Sequence, residues 1–199
     1  NQLQARDKFL AARDQARKYK NGELDEIIPP VFNEHLASFI RPLRHHQIKA
    51  AKHLYLLKNG ANFSVPGAGK TSVVLSVYEM LKKEGNVNCL FVVGPTACFY
   101  PWRDEFKKQL ARAPENVILA GMIKQERVNY YYLPVNRRPE LYLISYQTLT
   151  NDLNDIIQFF KNKDNNIYFV VDEAHYIKQL GGAWAESVLS TAPYATKKC

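Results

Sequence analysis

The stretch that decides the fold is Phe63-Ser64-Val65-Pro66-Gly67-Ala68-Gly69-Lys70-Thr71, which runs into an amphipathic segment from Ser72 to Lys83. A short apolar segment, a turn with two glycines and a Lys-Thr pair opening a helix are what a phosphate-binding loop requires, because successive backbone N–H groups must converge on an anion. The Lys70 ammonium is then expected to reach the β- and γ-phosphates of a nucleotide. The Thr71 hydroxyl is expected to ligate Mg²⁺.

The match of this loop to the phosphate-loop pattern depends on how strictly the pattern is drawn. The form GxxxxGK[ST] has glycine where this chain has Ser64, whereas the looser form small-x-x-Gly-x-Gly-Lys-Thr is complete. The alternative interpretation is a glycine-rich turn between a strand and a helix, followed by an ordinary surface lysine. The loop alone leaves both interpretations open.

A second cluster lies at the end of an apolar run, where Tyr168-Phe169-Val170-Val171 leads into Asp172-Glu173-Ala174-His175. A magnesium ion at a phosphate loop needs a second anchor, and ligands of parallel sheets gather where strands end. Asp172 is therefore predicted to hold the metal, and Glu173 to orient and deprotonate an attacking water. Taken alone, an acidic pair after a strand is also typical of a solvated helix start.

Strands and helices are predicted to alternate from Ala61 onward. The apolar runs Cys89–Val93 and Ile167–Val171 are typical of strands covered on both faces, as in parallel sheets. This pattern predicts an α/β fold, a mostly parallel sheet sandwiched by helices. The other predicted strands are Ala61–Val65, Val117–Ala120 and Leu141–Ser145, and the predicted helices are 41–57, 71–83, 101–112 and 148–161.

The N-terminal part differs in composition from the rest of the chain. Gln2 to Lys20 is charged and weakly amphipathic, which predicts a helix, and the acidic stretch from Glu23 to Pro30 predicts a linker. We therefore expect an N-terminal helical extension over residues 1–40 and a main domain over residues 41–199. Because the chain starts without Met and stops at Cys199, it is expected to be a piece of a longer protein.

The charge and the cysteines narrow the class of protein. The formal charge of +8 favours a polyanionic partner, either nucleic acid or an anionic membrane surface, unless acidic neighbours lie elsewhere in the parent protein. No apolar run is long enough to span a bilayer, so a soluble intracellular protein without a membrane partner is expected. The cysteines form no CxxC pair, and His45, His46 and His53 lack further ligands, so neither disulfides nor zinc are indicated.

Together, these motifs resemble the first RecA-like lobe of superfamily 2 helicases and translocases, over about Pro42 to Cys199. The Asp-Glu-Ala-His sequence looks like the DEAH box of that family. Leu43-Arg44-His45-His46-Gln47 resembles the element that precedes the phosphate loop, in which the glutamine reads the adenine. Gly94-Pro95-Thr96, followed by Trp102 and Glu105, resembles a motif that contacts the nucleic-acid backbone, as does Ser145-Tyr146-Gln147-Thr148-Leu149.

The resemblance implies a full set of site residues, with ATP and Mg²⁺ as cofactors. Lys70, Asp172, Glu173 and His175 would be catalytic, and Thr71 and Asp172 would hold the metal. Pro95, Thr96, Ser145, Tyr146 and Thr148 would contact nucleic acid. The implied nucleotide-binding residues are Arg44, Gln47, Ser64, Val65, Pro66, Gly67, Ala68, Gly69, Lys70 and Thr71.

The subfamily and the remainder of the parent protein are less well defined. The Trp102 and Tyr146 motifs look most like Swi/Snf-type DNA translocases, whereas Ser64-Val65-Pro66 is closer to restriction-enzyme and phage-type helicases. The resemblance implies that a Ser/Thr-Ala/Gly-Thr motif and a second RecA-like lobe with arginine fingers follow Cys199. The isolated lobe is therefore expected to bind nucleotide weakly and to hydrolyse it negligibly.

The expected function is ATP hydrolysis coupled to movement on nucleic acid, with duplex DNA as the expected polymer. Two alternatives remain: an RNA helicase of the same superfamily, and a non-motor interaction module with a decayed nucleotide site. The expected location is the cytoplasm or nucleoid in a bacterium or phage, and the nucleus in a eukaryote.

Overall fold

The computed structural model of the chain describes residues 2–23, 27–178 and 181–199. The chain divides into two compact units, residues 1–38 and residues 39–199. The first unit contains helix α1 (Gln2–Lys20) and helix α2 (Pro30–Ala37). Helix α2 begins at a proline, whose fixed φ suits the first turn and whose missing N–H has no helical partner there anyway.

In the second unit, one or two helices separate each strand from the next along the described residues. Its helices are α3 (His45–Leu56), α4 (Lys70–Lys83), α5 (Phe99–Leu110), α6 (Lys124–Tyr131), α7 (Tyr146–Asn151), α8 (Leu153–Lys161) and α9 (Ala183–Thr191). Its strands are β1 (Cys89–Val93), β2 (Asn116–Ile118), β3 (Leu141–Ile144), β4 (Ile167–Val171) and β5 (Lys197–Lys198).

The strands form one parallel sheet in the order β2-β3-β1-β4-β5. Val93 at the end of β1 pairs with Ile144 at the end of β3 and with Val171 at the end of β4. Because all strands point the same way, the segments that follow them emerge at one edge of the sheet. That edge is where ligands of open α/β sheets bind.

Helices cover the sheet on both faces. One core layer joins alternate strand residues such as Phe91, Tyr142 and Phe169 to side chains of α6, α7, α8 and α9. On the other side, α3 packs against α4 and α4 against α5. Successive residues of a strand point to opposite faces, so the wholly buried run of β1 supplies side chains to both layers. The predicted fold class, a mostly parallel sheet sandwiched by helices, is confirmed.

The predicted strand over Ala61–Val65 is wrong. Near it, a single parallel bridge joins Asn59 to Lys198 at the edge of β5. Beyond that bridge, the N–H of Ser64 donates to the side chain of Asn62 at 3.1 Å, and Phe63 is 95% exposed. A local side chain therefore satisfies the backbone that a neighbouring strand would otherwise bind.

The segment predicted as one helix over residues 148–161 is helical, but it is divided at Asp152 into α7 and α8. The buried Asp152 carboxylate accepts two hydrogen bonds from Arg127, at 2.6 and 2.7 Å, and one from the Tyr131 hydroxyl at 3.1 Å. Both partners lie in α6. Tyr131 is itself buried.

The other predicted strands and helices begin and end within a few residues of their predicted bounds, whereas α6 and α9 were not predicted. No helix in the described ranges combines the length and apolar character needed to cross a bilayer.

Candidate nucleotide-binding site

The loop between Ser64 and α4 depends on two glycines in left-handed backbone conformations. Gly67 has φ of +80° and Gly69 has φ of +76°, and Gly69 directly precedes the helix. A Cβ atom at Gly69 would lie only 2.3 Å from the side-chain nitrogen of Gln47. The loop therefore needs glycine at this position both for its backbone and for the close approach of a neighbouring side chain.

Gln47 fastens the loop to α3. Its Nε2 donates to the carbonyl oxygen of Ala68 at 3.1 Å, and its Oε1 accepts from the N–H of Arg44 at 2.9 Å. His46 Nε2 lies 3.2 Å from the same Ala68 oxygen. Both ends of the buried Gln47 amide are thus engaged within the chain, so here Gln47 supports the loop. A role for Gln47 and Arg44 in adenine recognition stays a prediction.

The functional side chains of the loop stand at the start of α4. The Lys70 ammonium donates to the carbonyl oxygen of Ser64 at 3.1 Å. This bond joins the two ends of the loop. Thr71 follows in the first turn of the helix, where the positive end of the helix dipole favours an anion. Val65 and Pro66, at the turn of the loop, are exposed.

The second half of the site follows β4. The N–H of Asp172 donates to the carbonyl oxygen of Val93 at 2.8 Å, so Asp172 continues the pairing of β4 with β1. Its Oδ1 accepts from the N–H of Glu173 at 3.0 Å, and its Oδ2 accepts from the indole Nε1 of Trp102 at 2.8 Å. The Tyr146 hydroxyl donates to the backbone carbonyl oxygen of Asp172 at 2.7 Å. Asp172 is therefore fixed in both its side chain and its backbone.

Glu173 turns the chain sharply at the end of this strand. Its φ of +55° lies in the left-handed region, which is uncommon for a residue with a Cβ and is often found at functional sites. Its carboxylate is exposed and lies 3.1 Å from Nδ1 of His175. The Glu173 and His175 side chains are thus both accessible to solvent.

The two clusters meet in one cavity of about 700 Å³. It is lined by Lys70 and Thr71 from the loop and by Asp172, Glu173 and His175 from the end of β4. An ammonium, a hydroxyl and carboxylates in one cavity fit a magnesium nucleotide, because Mg²⁺ takes one or two protein oxygens and completes its shell with phosphates and water. Across the described ranges, no three His, Cys, Asp or Glu side chains form a metal cluster.

Cys98 lies beside Asp172. Burial raises the pKa of its thiol to about 11, and the negative charge of Asp172 and a hydrogen bond to it add to the effect. The thiol is therefore protonated at neutral pH and contributes a donor to the surroundings of the carboxylate.

The segments predicted to contact nucleic acid differ in what they expose. Thr96 is exposed and Pro95 is partly exposed, directly after β1. Ser145 caps α7, with its Oγ accepting from the N–H of Thr148 at 3.1 Å. Thr148 and Tyr146 are 7% and 3% exposed. Both hydroxyls are bound within the chain, and the nucleic-acid contacts of Tyr146 and Thr148 stay predictions.

Sequence reasoning missed the roles of Trp102 and Glu105, which it grouped with the nucleic-acid motif. Both point inward: Trp102 to Asp172, and Glu105 to Ser72 in α4, with Arg41 bound to the same Glu105 oxygen at 2.6 Å. Their i, i+3 spacing places them on one helix face, but the sequence does not say what that face meets.

The comparisons with known proteins agree with this geometry. Residues 40–196 match the family described as type III restriction enzyme, res subunit. The fold is similar to that of the Sulfolobus solfataricus SWI2/SNF2 ATPase core in complex with dsDNA, with a TM-score of 0.60 and 19% sequence identity. That match covers 79% of this chain and 31% of the other, so the chain spans about a third of its relative. No curated protein sequence matches the chain.

The family match covers most of the chain, and the parallel sheet with helices on both faces is the one expected for a RecA-like core. The chain therefore belongs to the family of the type III restriction enzyme res subunit, and residues 39–199 form a RecA-like lobe of the superfamily 2 helicase type.

Proposed function

We propose that the chain is the ATP-binding lobe of a nucleic-acid-dependent ATPase that couples ATP hydrolysis to movement on duplex DNA. The observation that carries the proposal is the cavity shared by Lys70, Thr71, Asp172 and Glu173. Residues from two distant parts of the sequence converge there, at the carboxyl edge of a parallel sheet.

In this proposal, each residue of the cavity has a separate role in the transfer of the phosphoryl group to water. The glycine loop and Lys70 bind the phosphates, Lys70 exchanging its bond to the Ser64 carbonyl for a phosphate oxygen. Thr71 and Asp172 would hold Mg²⁺, which when bound would neutralise phosphate charge. Glu173 would orient the attacking water and accept its proton, and His175 would assist by positioning the Glu173 carboxylate.

Several features support DNA as the polymer. The chain carries a formal charge of +8, which favours binding of a polyanion. The structurally similar SWI2/SNF2 core was solved in complex with dsDNA. Thr96 and Ser145 follow neighbouring strands at the sheet edge, and contacts from such hydroxyls to phosphates grip a strand without reading its sequence. Movement along the polymer would require a second RecA-like lobe in the parent protein.

The direct test is ATP turnover by the full-length protein in the presence and absence of duplex DNA. We expect stimulation by DNA in the wild type and loss of turnover in Lys70→Ala. Lys107→Ala, which removes an exposed lysine from α5, is the matched control and should behave as wild type. Stimulation by RNA rather than by duplex DNA would favour the RNA helicase instead.

A non-motor module with a decayed nucleotide site gives a different outcome. Its wild type would neither bind a fluorescent ATP analogue nor hydrolyse ATP, and Lys70→Ala would leave its biological activity unchanged. Either result would overturn the proposal.

A further inference from the structure

One face of α5 carries polar side chains that reach into the interior of the second unit. Trp102, Glu105 and Gln109 recur at the i, i+3, i+7 spacing of a single helix face, and we call them the polar face of α5. Trp102 and Gln109 are 2% and 1% exposed. A helix face packed against its neighbours is expected to be apolar. The polar side chains on this face therefore need an explanation other than packing.

At the start of this face, Trp102 bonds to Asp172 in the cavity. An indole N–H can only donate, and a buried one needs an acceptor. The Asp172 Oδ2 atom provides it at 2.8 Å. Because the Glu173 N–H takes the other oxygen, the plane of the carboxylate is fixed.

Further along the face, Glu105 and Gln109 bond to α4 one turn apart. Glu105 accepts from the Ser72 hydroxyl, and Gln109 donates to the Ser76 hydroxyl at 3.1 Å. Ser72 directly follows Thr71 in the chain, and both serines are buried. One part-buried and one buried polar pair at this spacing hold α4 and α5 in one register, because a shift along the axis would break both hydrogen bonds.

We propose that Trp102 and Glu105 are positioning residues that set the separation between Thr71 and Asp172. The two predicted metal anchors stand on different elements, α4 and the end of β4. The polar face of α5 bonds to both of them, through Ser72 on one side and through the Asp172 carboxylate on the other. This inference rests on the proposed function, since it assigns these residues to the magnesium site of the same cavity.

The test measures metal binding as well as turnover, in the full-length protein. Mn²⁺ replaces Mg²⁺, and its binding with a non-hydrolysable ATP analogue is followed by the loss of the free-ion paramagnetic resonance signal. The variants are Trp102→Phe, which keeps the ring and removes the donor, and Glu105→Ala. We expect each to raise the metal concentration for half-saturation about 10-fold or more, as is usual when partners of metal ligands are removed.

Two controls separate positioning from stability. Asp104→Asn removes an exposed carboxylate from the residue next to Glu105 and should leave metal binding unchanged. Phe99→Leu weakens the buried packing of the same helix and should lower the melting temperature without changing metal affinity. Glu105→Gln, which keeps an acceptor oxygen, should recover part of the loss seen in Glu105→Ala.

A second readout uses the tryptophans, of which the chain has two. In Trp184→Phe, Trp102 is the remaining emitter, and its fluorescence should change when metal and nucleotide bind, because its N–H donates to Asp172. Adding Glu105→Ala to this background should move the midpoint of that change to higher metal concentration.

The outcomes distinguish the two proposals. A wild type that binds no metal nucleotide would overturn both the proposed function and this inference. A wild type that binds it, with Trp102→Phe and Glu105→Ala titrating like Asp104→Asn, would overturn the positioning role alone. Equal losses of melting temperature in Trp102→Phe and Phe99→Leu, with metal affinity intact in both, would show that the polar face of α5 only supports the fold.

Discussion

The side-chain nitrogen of Gln47 lies 3.1 Å from the carbonyl oxygen of Ala68, and this bond joins helix α3 to the phosphate loop. In the described sheet, residues 61–65 directly before the loop pair with no strand, and the nearest pairing is the bridge from Asn59 to Lys198. Contacts from α3 therefore fix its shape from outside, and the position next to Ala68 is especially sensitive to substitution.

We predict that Gly69→Ala abolishes nucleotide binding. Its Cβ would meet Gln47 Nε2 at 2.3 Å, and its φ of +76° would be strained by about 1–2 kcal/mol in any residue with a Cβ. Gly85→Ala is the matched control, because Gly85 has φ of +73° and open space around it. Both variants should lose stability in urea, Gly69→Ala the more because of its contact with Gln47, but only Gly69→Ala should lose affinity for a fluorescent ATP analogue. If Gly69→Ala kept its nucleotide affinity, the phosphate loop would be able to change conformation without loss of binding, which would contradict the prediction.

Asp152→Asn should destabilise the fold more than any exposed substitution in α8. Asp152 is 1% exposed and binds Arg127 through both oxygens, and breaking one side of a buried pair costs about 3–5 kcal/mol because a charge is left uncompensated. Asp155→Asn, which removes a negative charge beside the exposed Tyr132 hydroxyl, is the control. Thermal unfolding followed by circular dichroism measures both. Equal melting temperatures for the two variants would contradict this prediction.

The carboxyl group of Glu140 should make the free energy of unfolding depend on pH in the acidic range. Burial raises its pKa, but hydrogen bonds from Arg112 and Lys82 outweigh burial and hold the pKa below its ordinary value of 4.5. A carboxyl group whose pKa is lowered in the folded state stabilises the fold fully above pH 4.5. This stabilisation is lost as the pH falls through the folded-state pKa.

The comparison for Glu140 is urea unfolding of the wild type and Glu140→Gln from about pH 7 down to about pH 3. The wild type should be more stable at neutral pH, and the difference between the two proteins should shrink in acid. A difference that stays constant with pH would show that the ion pairs with Arg112 and Lys82 are not its source.

The Cys98 thiol reports on the charge of Asp172. Because its pKa is about 11, chiefly through burial and then through the Asp172 carboxylate, alkylation by iodoacetamide at pH 8 should be slow. Asp172→Asn removes the negative charge and should speed the reaction, as measured by mass spectrometry of the Cys98 peptide. Cys89, whose thiol is fully buried away from Asp172, serves as the internal control. An unchanged rate at Cys98 would exclude this electrostatic link.

The sequence predicted the elements whose signal is local. Cys89–Val93 and Ile167–Val171 form strands at their predicted bounds, because a strand buried on both faces must be apolar at every position. It failed where a distant partner decides the structure. Asp152 breaks a helix that its apolar pattern would continue, since Arg127 and Tyr131 bind its carboxylate.

The same distinction between local signals and distant contacts applies to the candidate site. The sequence by itself determined the chemical groups, namely the glycine loop with Lys70 and Thr71 and the acidic pair Asp172 and Glu173, because residue type and spacing fix which group can bind phosphate or metal. Only the tertiary structure decided that these groups share one cavity, and that Gln47, Trp102 and Glu105 support it. The physical reason is that hydrogen bonds between residues far apart in the chain depend on how the sheet and helices pack, which no local pattern records.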